Sequence, residues 1–241
     1  MKIIAHRGAS GEFQENSLLA FEKAIEQNAD SIELDARYHS SGEFILLHDR
    51  YLDNTSEGKG DIESYSLCEL LYIKTSQAQT ITTLSKALQQ IHGRCPVNIE
   101  LKDATDNEDI LDQICHQLLN IIKQACANDN FLLSDFAISA FNHKLLARLN
   151  SLYPDVETAA LIACSPMDIS SIIQKLTVRS VNMDINCINQ KMVDDAHREQ
   201  KKVNVYTVDY AKDIELCHKL KVDGIFTNFP QKTRDYINKN L

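Results

Sequence analysis

The apolar and polar positions of this 241-residue chain follow two patterns in turn. Short β-branched runs, typical of strands that are buried on both faces, are each followed by a stretch with the three- and four-residue apolar spacing of a helix. The strand-like runs lie at about residues 2–6, 30–35, 96–101, 133–140, 156–163, 179–184, 202–208 and 223–227. This alternation predicts an α/β fold with a parallel sheet.

The helical stretches between these runs show one apolar face. The clearest faces are formed by Leu18, Phe21 and Ile25, by Ile110, Ile114, Leu118 and Ile121, and by Met192, Val193 and Ala196. Further helices are predicted near 82–92, 142–152, 167–176, 211–220 and 231–239. Eight strands alternating with eight helices favour a (β/α)8 TIM barrel, which typically takes about 250 residues. The alternation alone fits an open doubly wound sheet equally well.

One segment after the second strand breaks the alternation. Residues 43–48 have the pattern of an additional short strand that follows the turn at Ser41-Gly42, and 49–80 are polar and rich in turn residues. We therefore expect a small insertion at about 43–80 on the face where the loops follow the strands, which is where TIM barrels carry their active sites. Because no Pro/Gly/Ser-rich linker divides the chain, residues 1–241 are predicted to form a single domain.

Composition and charge narrow the class of protein. The chain is 44% hydrophobic and 24% charged with a formal net charge of −9, which is ordinary for a globular protein. This acidic balance argues against binding to nucleic acid or anionic membranes, and no apolar run reaches the roughly 18 residues of a membrane span. The seven cysteines lack close pairing and the first residues lack a secretory pattern, which together predict a cytoplasmic protein.

Three carboxylates are predicted to meet at the ends of neighbouring strands. Glu33 and Asp35 alternate along the second strand and so point to the same side, and Glu100 occupies the end of the next strand. Taken singly, each fits a strand end entering solvent. Together they form an all-oxygen set that suits one hard divalent cation, Mg²⁺ or Ca²⁺.

Two histidines and two cationic side chains complete the candidate site. His6 and His48 each end an apolar run, and two histidines beside a carboxylate cluster fit a general acid and base pair. Arg7 and Lys102 follow strand ends and match the charge of a phosphate group. A salt bridge between Arg7 and Glu15 is the alternative role for this arginine. The barrel mouth is thus predicted to bind an anion although the whole chain is acidic.

The order of these motifs resembles the glycerophosphodiester phosphodiesterase family. The resemblance spans nearly the whole chain and rests on His6-Arg7-Gly8, Glu15-Asn16, Ala29-Asp30-Ser31-Ile32-Glu33-Leu34-Asp35, His48-Asp49, Glu100-Leu101-Lys102, Ser139-Ala140-Phe141, and the two last strand segments at 203–208 and 222–227. It implies a TIM barrel with a small insertion after the second strand. It also implies hydrolysis of a small-molecule glycerophosphodiester, a deacylated phospholipid, to glycerol 3-phosphate and an alcohol with the help of a divalent cation.

The resemblance also implies a role for each matching residue. Glu33, Asp35 and Glu100 match the metal ligands, His6 and His48 the acid/base pair, and Arg7 and Lys102 the phosphate contacts. Glu15 matches a position that helps to shape the site, and Phe141 and Tyr206 are expected beside the substrate or as packing residues. Either a substrate glycerol hydroxyl, through a cyclic phosphate, or water is the nucleophile. A homodimer is compatible with the sequence.

Departures from the family pattern occur near both ends of the chain. Gln14 replaces a proline, Tyr206 and Asp209 replace the tryptophan and asparagine of Trp-Thr-Val-Asn, and Asn228 replaces the aspartate of Thr-Asp. None of them is expected to touch the acid/base or metal residues, so we expect them to affect substrate preference rather than catalysis.

Three other functions are alternatives to the hydrolysis of the phosphodiester bond in a deacylated phospholipid. A lysophospholipase D or sphingomyelinase D-like activity needs an apolar groove at the mouth, for which the sequence shows no exposed apolar loop. A catalytically silent sensor of phosphodiesters or metal would have lost a histidine or a carboxylate. A metal-dependent aldolase-type barrel would not require His6 and His48 together.

Overall fold

Eight parallel strands close into a barrel in the computed structural model, which describes residues 1–102, 105 and 107–241. The barrel strands are β1 (Lys2–Ala5), β2 (Ser31–Tyr38), β4 (Val97–Leu101), β5 (Phe136–Ala140), β6 (Glu157–Ile162), β7 (Ser180–Asp184), β8 (Lys202–Tyr206) and β9 (Gly224–Thr227). The order around the barrel follows the chain, and β9 pairs with β1 in parallel. This closure confirms the TIM barrel and excludes the open sheet.

Helices surround the barrel, mostly one after each strand. They are α1 (Leu18–Glu26), α2 (Leu67–Tyr72), α3 (Leu84–Ile91), α4 (Glu108–Asn128), α5 (His143–Leu152), α6 (Ser170–Ile173), α7 (Gln190–Arg198), α8 (Ala211–Leu220) and α9 (Pro230–Asn240). Side-chain caps fix where several of them begin: Ser17 accepts a hydrogen bond from Ala20 N, and Asn142 accepts from Lys144 N and Leu145 N. No helix within the described residues is both long and apolar enough to cross a bilayer.

The observed elements depart from the predicted ones in three places. The helix predicted near 167–176 is a single turn, α6, in which Ile173 is the buried residue. Ile110, expected on the buried face of α4, is 38% exposed because it lies in the first turn of the helix. Helix α2 lies inside the predicted polar insertion, where a capping box between Ser66 and Glu69 starts it.

The insertion carries its own small apolar cluster. Its strand β3 (Phe44–Leu46), predicted at 43–48, pairs antiparallel with the end of β2. Beside it lies a second hydrophobic cluster, separate from the main core, formed by Ile45, Leu47, Leu52, Ile62, Leu70 and Ile81. This cluster fixes the segment that carries His48 over the mouth of the barrel.

Alternation along β2 directs its acidic side chains into the barrel. Ile32 and Leu34 belong to the core that the strands share with the helices. Glu33 and Asp35 alternate with them and therefore face the interior. The register pairs Asp35 directly with Glu100 on β4, so the two carboxylates lie side by side at the carboxyl end of the barrel.

Below these carboxylates, polar side chains on neighbouring strands bond to one another. Asn98 Nδ2 donates to Ser139 Oγ at 2.9 Å, and Asn204 Nδ2 donates to Asn182 Oδ1 at 2.9 Å. Such pairs satisfy polar groups that would otherwise be buried without partners. The floor of the mouth is therefore a hydrogen-bonded layer, except that Asn182 Nδ2 has no hydrogen-bond partner among the described residues.

Gly8 is expected to be indispensable to the turn that follows β1. Its φ is +80°, and an added Cβ would lie 2.7 Å from the carbonyl carbon of Ala20 in α1. Gly42 is a matched control because its φ is +87° but nothing lies within 4 Å. Gly42→Ala should lower the free energy of unfolding by about 1–2 kcal/mol, the left-handed penalty alone, and Gly8→Ala by at least about 2 kcal/mol more. Urea unfolding of both variants measures the difference, and equal losses would contradict the steric argument.

Candidate active site

Three buried carboxylates form the centre of the site. Oxygens of Glu33, Asp35 and Glu100 all lie within 4.8 Å of one another, and these residues are 1%, 0% and 7% exposed. Glu33 Oε1 is buried without a hydrogen-bond donor among the described residues. Burial, together with the charges of Asp35 and Glu100, raises the pKa of Glu33 well above its usual range. A trio of buried like charges with an unpartnered oxygen fits a hard divalent cation.

Two cationic side chains lie against this cluster. Lys102 Nζ is 3.0 Å from Asp35 Oδ1 and 2.5 Å from Glu100 Oε1. Arg7 Nε is 3.0 Å from Asp35 Oδ2, and Arg7 Nη1 is 2.8 Å from Glu15 Oε2. The salt bridge to Glu15, the alternative role for Arg7, is thus present beside its contact with the cluster. Burial raises the pKa of Asp35, but Lys102 and Arg7 together outweigh it and hold that pKa below its usual value.

The formal charges of the site leave room for a cation. Four carboxylates, counting Glu15, meet two cationic side chains. One divalent cation would balance the two remaining negative charges. Both the excess of negative charge and the all-oxygen donor set favour a hard divalent cation.

The loop after β1 places Arg7 and supports Asp35. Arg7 adopts a left-handed conformation with φ of 56°, and its backbone N–H donates to Glu33 Oε2 at 2.8 Å. Asn16, also left-handed, donates from Nδ2 to Asp35 Oδ2 at 2.9 Å and accepts from Asp35 N at 3.0 Å. The sequence patterns place Asn16 in a motif but give it no role. Its signal is an amide beside the motif glutamate Glu15, and the structure shows that it fixes the orientation of Asp35.

His6 lies directly after β1, at the rim of the barrel. Its Nδ1 is 2.8 Å from Asn228 Oδ1, a carbonyl oxygen that can only accept, so His6 donates from Nδ1. Burial and, next, the charge of Arg7 lower the pKa of His6 to about 4. The imidazole is therefore neutral near pH 7, with Nε2 able to accept a proton. This contact also corrects an expectation, because Asn228, a departure from the family pattern, touches the proposed acid/base pair.

His48 has a carboxylate as its partner instead. Its Nδ1 is 2.7 Å from Asp49 Oδ1, and Asn54 Nδ2 donates to Asp49 Oδ2 at 3.1 Å. Burial and the charges of Arg7 and Lys102 lower the pKa of His48, while Asp35 and Asp49 oppose that shift. Asp49 belongs to the His48-Asp49 motif, but the motif alone gives it no function. The structure makes it the group that orients His48.

Both histidines belong to one site. Arg7, Asp35 and Lys102 act electrostatically on His6 and on His48 alike. His6 comes from the barrel and His48 from the insertion. All of the charged residues predicted for the site are thus brought together at the carboxyl ends of β1, β2 and β4 and in the insertion.

The two predicted aromatic residues form one wall of the mouth. Phe141 and Tyr206 pack edge to face with ring centroids 6.3 Å apart. Tyr206 donates its hydroxyl to Ile162 O at 3.1 Å and packs against Phe226 on its other side. Phe141 is 49% exposed. Tyr206 is thus anchored by packing and a hydrogen bond, and Phe141 is the member of the pair that offers apolar surface.

The lowered pKa of His6 predicts a pH dependence of stability. Between about 4 and 6.5 the unfolded chain binds a proton that folded His6 does not, so stability falls as the pH falls through this interval. From pH 7.5 to pH 5 this single group should remove about 2 kcal/mol. Urea unfolding at both pH values should show a loss smaller by that amount in His6→Gln, whereas His218→Gln, at an exposed position, should behave like the wild type. An identical pH dependence in His6→Gln would contradict this assignment.

The closed barrel and its charged mouth define the chain as a TIM-barrel protein with an active-site arrangement at the carboxyl ends of the strands. Residues 6–232 match the glycerophosphoryl diester phosphodiesterase family. The chain belongs to this family of hydrolases, which confirms the resemblance seen in the motifs and the prediction that it is an enzyme.

Individual relatives agree with this family. A glycerophosphodiester phosphodiesterase of Bacillus altitudinis is 29% identical over 96% of both chains. Another from Caldanaerobacter subterraneus is 27% identical over 98% of both. A phosphodiesterase of Oleispira antarctica, solved in complex with the product sn-glycerol-3-phosphate, superposes with a TM-score of 0.89 at 24% identity, covering 99% of this chain and 97% of that one. The last likeness concerns the fold.

Proposed function

We propose that this chain hydrolyses glycerophosphodiesters to glycerol 3-phosphate and an alcohol. The proposal rests on the buried cluster of Glu33, Asp35 and Glu100, against which Arg7 and Lys102 lie. The charges of this site also act on both His6 and His48. Relatives that match nearly the whole chain carry the name of this activity. Glycerol 3-phosphate is also the product held by the Oleispira phosphodiesterase.

Glu33, Asp35 and Glu100 would hold one divalent cation, Mg²⁺ or Ca²⁺. When bound, such an ion offsets phosphate charge and acidifies a coordinated hydroxyl. The carboxylates of this chain supply the oxygen ligands, and Asn16 keeps Asp35 in place for that task.

Arg7 and Lys102 attract and position the phosphate. Both cations lie against the carboxylate cluster, and their positive charges lower the pKa of both histidines. A phosphodiester bound there would add a negative charge, and this charge would raise the pKa of His6 and His48 again. Substrate binding thus favours the protonated form of the histidine that acts as the acid.

The different hydrogen-bond partners of His6 and His48 give each histidine a different proton transfer. His6, bonded to a neutral amide, accepts a proton at Nε2 from the attacking hydroxyl of glycerol or of water. His48, bonded to the carboxylate of Asp49, carries a proton more readily once substrate is bound and delivers it to the leaving alkoxide. In the cyclic-phosphate route the two roles reverse in the second step.

The whole chain is proposed to act as one domain over residues 1–241, with the insertion at about 43–80. The insertion contributes His48, and the Arg37 guanidinium of β2 donates to His48 O, which ties the insertion to the barrel. All seven cysteines are free thiols. That state agrees with a cytoplasmic location.

A substrate that keeps an acyl chain is the second candidate. Phe141 is half exposed and Met167 is fully exposed, in the loops that follow β5 and β6. From the sequence we expect no exposed apolar loop at the barrel mouth, and these two exposed side chains correct that expectation. They offer apolar surface on the substrate side of the barrel, as a lysophospholipase D would require.

A coupled assay for glycerol 3-phosphate over a panel of headgroups tests the proposal. Glycerophosphocholine and glycerophosphoethanolamine should release glycerol 3-phosphate, and EDTA should abolish the release until Mg²⁺ or Ca²⁺ is added. Lysophosphatidylcholine, followed by choline release, tests the second candidate, with Met167→Ser as the variant that should weaken only that activity. No turnover of any glycerophosphodiester with either cation present would overturn the proposed function.

A further inference from the structure

A continuous chain of hydrogen bonds links Asp209 to His6 through Asn228. Asp209 Oδ2 accepts from Asn228 Nδ2 at 2.6 Å, and Asn228 Oδ1 lies 2.8 Å from His6 Nδ1. The second oxygen of Asp209 accepts from Asn228 N at 2.8 Å and from Thr227 Oγ1 at 2.9 Å. Asp209 follows β8, Asn228 follows β9 and His6 follows β1, so the chain crosses three adjacent strand ends.

Each hydrogen bond in this chain has a fixed direction. A carboxylate only accepts, so the Asn228 amide must turn its NH₂ group toward Asp209. Its carbonyl oxygen then faces His6 and requires an N–H there. His6 is therefore protonated on Nδ1, and its Nε2 carries the lone pair. Ser10 Oγ lies 2.6 Å from His6 O and 2.8 Å from Asn228 Oδ1, and it can donate its one proton to only one of these two carbonyl oxygens at a time.

We propose that Asp209 and Asn228 are positioning residues that hold His6 in the Nδ1–H tautomer and leave Nε2 as the proton acceptor. This role rests on the proposed function, in which His6 is the base. It also assigns a shared task to two residues that the motif pattern treats as separate departures.

For the protonation of His6, the neutrality of the adjacent Asn228 amide matters as much as the more distant carboxylate of Asp209. A carboxylate at position 228 would stabilise the imidazolium directly, whereas Asn228 leaves it without a counterion. Other charged groups that act on His6 are Arg7 and Lys102, which disfavour the imidazolium, and Asp35, which favours it. Burial and the charge of Arg7 keep His6 unprotonated at neutral pH, and the neutral amide of Asn228 opposes them through its hydrogen bond without supplying a negative charge.

Asp209→Asn tests the direction of the hydrogen bonds. Asp209 accepts three hydrogen bonds on two oxygens, and an amide offers only one oxygen. The Asn228 side chain should rotate, turn its NH₂ toward His6 and force the Nε2–H tautomer. We expect kcat/KM to fall by about 10²–10⁴-fold, the order of loss that a wrong histidine tautomer causes.

The exchange variant, Asp209→Asn combined with Asn228→Asp, distinguishes a positioning role of this pair from a purely structural one. It keeps one acid and one amide in hydrogen-bond contact, so stability should recover relative to either single variant. The acid now touches His6 directly, and the acidic limb of the pH profile of kcat/KM should move upward by about one to two pH units. A merely structural pair would restore both the stability and the wild-type profile.

The ¹⁵N chemical shifts of His6 give a readout that does not depend on turnover. In histidine-labelled protein, with His6 identified by its absence in His6→Gln, the wild type should show protonated Nδ1 and unprotonated Nε2 at pH 7. Asp209→Asn should show the reverse, and the exchange variant should show a raised His6 pKa. Wild-type protein in the Nε2–H form, or unchanged shifts and an unchanged pH profile in the folded exchange variant, would overturn the proposal. If the shifts behave as expected while His6→Ala retains activity, the positioning of the ring stands and the proposed function of His6 fails.

Discussion

Replacing His6 with alanine should lower kcat by about 10²–10⁴-fold and leave the fold intact. The ring is neutral, its Nδ1 proton is committed to Asn228, and its Nε2 is the atom available to accept a proton. The side chain lies at the rim after β1 rather than in the hydrophobic core, so its loss opens no large apolar cavity. His48→Ala should give a loss of similar size. Steady-state release of glycerol 3-phosphate measures both.

The matched control for this experiment is His218→Ala. His218 is exposed on α8, away from the carboxyl ends of the strands. This variant should turn over substrate at the wild-type rate and unfold at the same urea concentration. Turnover near the wild-type rate in His6→Ala or His48→Ala would contradict the assignment of acid and base.

A divalent cation should stabilise the protein as well as support turnover. At a concentration of 100 times its Kd, the ion should raise the free energy of unfolding by about 2.7 kcal/mol. Glu33→Gln should abolish this stabilisation, because Glu33 Oε1 is the buried oxygen with no donor among the described residues. The same variant should lose at least about 10²-fold in turnover, since a bound ion would provide several kcal/mol of transition-state stabilisation in the proposed reaction.

Thermal unfolding in EDTA and in Mg²⁺ or Ca²⁺, together with calorimetric titration, measures these effects. Glu26→Gln serves as the control, because Glu26 is half exposed and its ion pair within the described part of the chain is with the neighbouring Lys23 on α1. It should keep the full stabilisation by the ion. A wild-type protein whose Tm does not respond to either cation would refute the ligand role of the carboxylate cluster.

Elements and residues that depend on local periodicity could be predicted from the sequence. The period of two along β2 places Glu33 and Asp35 on one side, and the parallel order of neighbouring strands brings Glu100 beside them. The same regularity predicts all eight barrel strands to within a few residues. Short elements were harder: α2 and α6 are too brief for a helical period to stand out, and neighbouring packing determines them.

Contacts between distant parts of the chain could not be predicted from pattern alone. Asn228 lies 222 positions from His6, and only closure of the barrel brings them into contact. Asp49 is adjacent to His48 in sequence, yet its orientation toward the ring depends on Asn54 and on the fold of the insertion. The candidate ligands, histidines and cations were therefore predictable, while the residues that orient them, such as Asn16, Asp49 and Asn228, required the structure.

The pairing of the first strand with the last has a consequence for the order of synthesis. His6 is synthesised 222 residues before Asn228, which directly follows the β9 strand that closes the barrel. No nascent chain that lacks the final strand can hold His6 in its working tautomer. The proposed base therefore becomes competent only after β9 has been synthesised and has paired with β1.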